Sequence, residues 1–119
     1  MSTLSRLACD WAIRAFGPDH VNDRKVRSLR IVEEAIELCQ AYGVDKEKVA
    51  LAVNEVYGRP PGEPTQELGG VLLTTYIMCA SRGNEEPDDV MEVELARVLA
   101  KPVEHFAARN QAKLNAGLS

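Results

Sequence analysis

No stretch of this chain is both long and uncharged. The longest such run, residues 68–81, falls short of the roughly twenty apolar residues that a membrane-spanning helix needs. Cysteine is scarce and odd in number: Cys9, Cys39 and Cys79 form no CxxC pair, so neither a disulfide framework nor a thiolate zinc site is suggested. They read as reduced core residues. Positive charge is also in short supply, with 14 Lys and Arg against 18 Asp and Glu and a net charge of −4. That is the wrong sign for a domain whose ligand is a nucleic-acid backbone. Residues 1–14 carry Arg6, Asp10 and Arg14 spread evenly, without the separate basic and apolar regions of a signal peptide, so a cytoplasmic location without membrane partners is expected. The sequence has no GxxxxGK loop, GxSxG elbow or HExxH pair, and nucleophilic or zinc chemistry has no support. Repeats, low-complexity tracts and strand-like alternation are missing as well.

What remains is an ordinary globular composition, 45% hydrophobic and 27% charged over 119 residues, enough for one domain with a real core. Helical periodicity runs almost throughout, which predicts an all-α bundle of four to five helices. Leu4, Leu7, Ala8, Trp11, Ala15 and Phe16 share one face of a first helix that stops at Gly17-Pro18. A polar connection follows. A second helix is predicted over about 24–42 and a third over about 46–57, with Asp45 as its cap. Gly58-Arg59-Pro60-Pro61-Gly62 is a loop, because consecutive prolines neither continue a helix nor donate to a ladder. A fourth helix, about 64–81, is uncharged after Glu67 and so belongs in the middle of a bundle. A fifth begins near Pro87, is kinked or divided at Pro102, and runs to about 114; residues 115–119 are expected to fray.

Three constellations carry chemical potential. Glu33, Glu34 and Glu37 fall within one sector of the second helix, with Arg30 a turn earlier. The pattern suits either the solvated side of an amphipathic helix or a hard cation such as Mg²⁺, with Mn²⁺ as a substitute. Glu67 leads the uncharged helix, where it either complements the helix dipole or faces a cation or donor. Gly69 and Gly70 beside it cost roughly 1 kcal/mol each relative to Ala, which implies that a backbone or ligand needs the space. Finally, Arg97, Lys101, His105, Arg109 and Lys113 recur every four residues with Asn110 alongside, either as a solvated edge or as a ridge that neutralises a polyphosphate.

Glu33-Glu34-Ala35-Ile36-Glu37, followed about thirty residues later by Glu67-Leu68-Gly69-Gly70, resembles the MazG-like nucleoside triphosphate pyrophosphohydrolases, whose hallmark is EExxE followed by ExxD. Segments similar to small phage- and proteobacteria-associated members recur at 30–38, 58–67, 69–71 and 94–97. The resemblance covers roughly 8–113 and implies a MazG-like helical bundle assembled as a homodimer or homotetramer. It further implies Mg²⁺-dependent conversion of an NTP or dNTP and water to the monophosphate and pyrophosphate. Mg²⁺ would fall to Glu34, Glu37 and Glu67, with Glu33 helping to bind metal or orient the attacking water. Lys101, Arg109, Asn110 and Lys113 match the region that contacts phosphate and sugar, and Arg30 joins them as a substrate-binding candidate. One position departs from the hallmark: Gly70 stands where Asp is expected. Either three carboxylates and extra water suffice, or another acid such as Glu63 replaces it, or hydrolysis has been lost and a non-catalytic nucleotide- or partner-binding module remains. Phosphoribosyl-ATP pyrophosphohydrolase fits less well, since acids of its second motif are missing around Gly70.

Overall fold

The computed structural model describes residues 1–118. The described chain is all-helical: α1 (Thr3–Phe16), α2 (Pro18–Asn22), α3 (Arg24–Ala41), α4 (Lys46–Tyr57), α5 (Pro64–Ser81), α6 (Pro87–Leu99) and α7 (Val103–Asn115). There are thus seven helices where four to five were expected, for two local reasons. The segment read as a polar connection is itself helical, because Gly17 turns the chain with φ 87° and Pro18 restarts it at a first helical position. Asp23 then accepts from the N–H groups of Lys25 and Val26 and opens α3. At the other end Pro102 caps α7 and separates it fully from α6. No helix among the described residues is long and apolar enough to cross a membrane.

The core is built from α1, α6 and α7. Ala15, Leu95, Val98 and Phe106 are buried together, with Leu4, Trp11, Phe16 and Val103 packed against them. Trp11 sets its ring edge-on to both Phe16 and Phe106, at centroid distances of 5.4 and 5.0 Å, a favourable aromatic geometry. α3 joins this body through buried Val26 and Arg30. The cysteines are free, Cys79 buried and Cys9 and Cys39 half-buried.

In the segment expected to fray, the Leu118 N–H donates to the Lys113 carbonyl at 3.0 Å, Gly117 takes φ 90°, and Arg30 donates to the Leu118 carbonyl. Ser119 lies outside the described residues. One expectation fails: the uncharged helix, α5, is not at the centre of the chain. Every residue from Ala50 to Ile77 is exposed, including Leu72, Leu73 and Ile77 at 53%, 61% and 60%. α4 touches chiefly α3 and α5 chiefly α6, and neither joins the core of α1, α6 and α7.

Candidate active site

α1, α3, α6 and α7 enclose an open cleft of about 460 Å³, within the usual range for a small-molecule site. Its walls differ in chemistry. Trp11, Phe16 and Phe106 form an apolar end, while Glu34, Glu37 and Glu94 bring carboxylates from α3 and α6. Arg30, Arg109 and Lys113 supply cations.

Arg30 anchors the arrangement. It is only 7% exposed, and its guanidinium donates from Nη2 to Asn110 Oδ1 at 3.1 Å and from Nη1 to the Leu118 carbonyl at 3.0 Å. Burial of so large a cation is tolerated because planar donors meet fixed acceptors. Glu33 lies 3.7 Å from Arg30 Nη1 and pairs with Lys113 Nζ at 2.9 Å, tying α3 to α7. Its side chain does not line the cleft. In the single chain both Glu33 oxygens face cations, Arg30 and Lys113, rather than the cleft.

Glu34 and Glu37 do line the cleft. Partial burial, then the neighbouring Glu37 carboxylate, push the Glu34 carboxyl above its ordinary value; Lys113 opposes the shift, and Glu94 and Glu33 add to it. Glu94, across the cleft, accepts from Arg97 Nε at 2.9 Å, and this bond holds its carboxyl below the ordinary value.

The remaining candidates are not gathered there. Glu67 is exposed at the head of α5, away from the cleft lining, its carboxylate folded back over Gly62 so closely that a Cβ at position 62 would collide with it. Among the described residues no three His, Cys, Asp or Glu side chains converge as a metal-binding group. The reason is the outward placement of α5, which separates the two halves of the acidic pattern. Glu63 is engaged elsewhere: its oxygens accept from the Thr65 and Gln66 N–H groups and cap α5, which lowers its carboxyl pKa. Gly69 and Gly70 have nothing within 4 Å of where a Cβ would stand, so the close neighbour expected for them is missing within the chain. The basic ridge is broken at Pro102, leaving Arg97, Arg109 and Lys113 at the cleft and Lys101 and His105 outside its lining.

Sequence reasoning missed Glu94, Arg27 and the aromatic end as parts of the cleft. The aromatics read as core because their helical spacing is that of a core stripe. Glu94 did carry a signal, its i,i+3 spacing from Arg97.

Comparison with family models, curated proteins and solved structures gives no match to this chain.

Proposed function

We propose that this chain is a Mg²⁺-dependent, MazG-like nucleoside triphosphate pyrophosphohydrolase, acting on an NTP or dNTP as a homodimer or homotetramer in the cytoplasm. The observation that supports this reading most is the meeting, in one cleft, of Glu34 and Glu37 from α3 with Arg109 and Lys113 from α7, with Trp11, Phe16 and Phe106 also in the lining. A triphosphate needs cations, a base needs a flat apolar surface, and anhydride hydrolysis needs a water placed beside carboxylates.

The donor set suits the metal. Glu34 and Glu37 offer only hard oxygen ligands, and Mg²⁺ commonly uses one or two protein carboxylates, completing its shell with water and substrate phosphates. The upward shift at Glu34 comes first from burial and then from the neighbouring Glu37 carboxylate, whose charge a cation would offset. When bound, Mg²⁺ would neutralise phosphate charge and make a coordinated water more acidic.

The chain's own residues divide the remaining work. Arg109 and Lys113 attract the phosphates, and Glu33 holds Lys113 in place. Arg30, fixed by Asn110 and Leu118, keeps α3 and α7 at a constant separation. Glu34 and Glu37 would hold the cation beside the attacking water, whose proton passes to solvent. Pyrophosphate leaves from the phosphorus that water attacks, and the monophosphate remains.

A second reading is favoured by one observation, the lack of three converging ligands in the described chain: a nucleotide-binding module without catalysis. Pyrophosphate release measured over all common NTPs and dNTPs, with Mg²⁺, with Mn²⁺ and with neither, separates the two. Metal-dependent release is expected. Tight nucleotide binding without release would establish the module instead.

A further inference from the structure

The chain exposes more surface than a protein of its size should. Its accessible area is 9247 Å², whereas a compact monomer of 13.1 kDa exposes roughly 6,400 Å². Its radius of gyration is 15.5 Å, against about 13.5 Å for a compact domain of this length. The excess area, about 2,800 Å², is at least what an obligate dimer interface removes from each protomer. It is concentrated on α4 and α5, whose apolar residues meet water, and on the back of α3, where Ile31, Val32, Ile36 and Leu38 are each more than 40% exposed.

Both surfaces are apolar and uncovered in the single chain. The back of α3 adjoins the sector that carries Glu34 and Glu37, and α3 and α5 are both 18 residues long. Past Glu67, α5 presents an uncharged surface about 20 Å long at the helical rise of 1.5 Å per residue. Gly69 and Gly70, which no group of their own chain approaches, allow another helix to come close just after Glu67. A foreign partner is not needed to explain either surface, since a second copy supplies an apolar helix face for each.

We infer that the active site is composite: a second copy of this chain lays its α5 along the exposed apolar flank of α3 and brings its Glu67 to the Glu34 and Glu37 carboxylates of the first copy. Two-fold symmetry makes the exchange reciprocal and yields two sites per pair. The inference rests on the proposed function in taking Glu34, Glu37 and Glu67 as one ligand set, and adds that the third ligand comes from the other chain.

Complementation between differently tagged copies tests it. Glu34→Gln and Glu67→Gln chains are produced singly and by co-expression, and mixed pairs are isolated through both tags. Each variant alone should lose pyrophosphate release and high-affinity Mn²⁺ binding. A mixed pair should regain about half of the wild-type activity and one Mn²⁺ site per two chains, because one of its two sites has both glutamates intact. A mixed pair that forms but stays inactive and binds no Mn²⁺ would mean that the ligands come from one chain, overturning the inference while leaving the enzyme reading standing. Full activity in the Glu34→Gln protein alone would overturn both. Failure of differently tagged wild-type chains to co-purify would overturn the inference by removing the pair itself.

Discussion

Arg30 and Asn110, eighty positions apart in sequence, are buried against each other, with Nη2 donating to Oδ1 at 3.1 Å. This bond joins α3, which bears the acidic sector, to α7, which bears Arg109 and Lys113, and so sets the width of the cleft. Asn110→Ala would leave a buried guanidinium short of an acceptor and should cost about 1–3 kcal/mol of stability. Asn110→Asp keeps an acceptor and should lose less. Chemical denaturation of the three proteins measures the order.

Glu34→Gln and Glu37→Gln should each reduce pyrophosphate release on the order of a hundredfold or more, as losing a ligand or a preorganised charge does. Their folding should be intact, because removing a carboxylate from this sector relieves repulsion. For Glu34 the pH dependence has a definite sign. Its folded-state pKa lies above the ordinary 4.5, so the ionised form disfavours folding above the folded pKa, and that penalty fades as pH falls through it towards 4.5 and below. Glu34→Gln should therefore melt at or above the wild-type temperature at pH 7, and the difference should vanish near pH 4. Calorimetry across that range checks it.

His20 should behave in the opposite sense. Burial first, then the charges of Arg27 and Arg30, hold its pKa below 6.5. As pH falls below 6.5 the unfolded chain takes up a proton that the folded chain still refuses, and stability declines until the folded pKa is passed. Between pH 7.5 and 5.5 the urea midpoint of the wild type should therefore drop further than that of His20→Gln. Equal drops would show that His20 titrates alike in both states.

Gly70→Asp should fold, since no atom of the chain lies within 4 Å of the new Cβ. It adds a carboxylate one turn after Glu67, on nearly the same face. Mg²⁺ titration should show tighter binding than in the wild type, with higher pyrophosphate release. Unchanged affinity in a stably folded variant would count against a carboxylate metal site at this place.

Sedimentation at micromolar concentration should find at least a dimer, because the apolar surface of α5 is uncovered in the single chain. Leu73→Lys, a charge in the middle of that surface at a position 61% exposed, should shift the protein towards monomer and make its melting temperature lower and less dependent on concentration. A monomeric wild type would remove the assembly.

Helix positions were legible in the sequence wherever a breaker or cap marked them. Lys46–Tyr57 and Pro64–Ser81 end where the glycines, prolines and short-range polarity say they should, since capping and φ restriction act within a few residues. The helix at Pro18–Asn22 escaped notice because five residues with a single aliphatic side chain, Val21, carry no periodicity. The acidic sector of α3 was equally legible, as 100° per residue places Glu33, Glu34 and Glu37 together whatever else the chain does.

What those three carboxylates do was decided by tertiary structure. Local periodicity puts them on one face, but only the packing of α7 against α1 and α3 sends Glu33 to Lys113 and leaves Glu34 and Glu37 in the cleft. Packing likewise brought Glu94 from α6 to the opposite wall, a relation between residues sixty positions apart that no helical repeat encodes. The same holds for α5. Its lack of charge was legible and makes its exposure unfavourable in water, whereas only the fold of the single chain decided that its own core does not cover it.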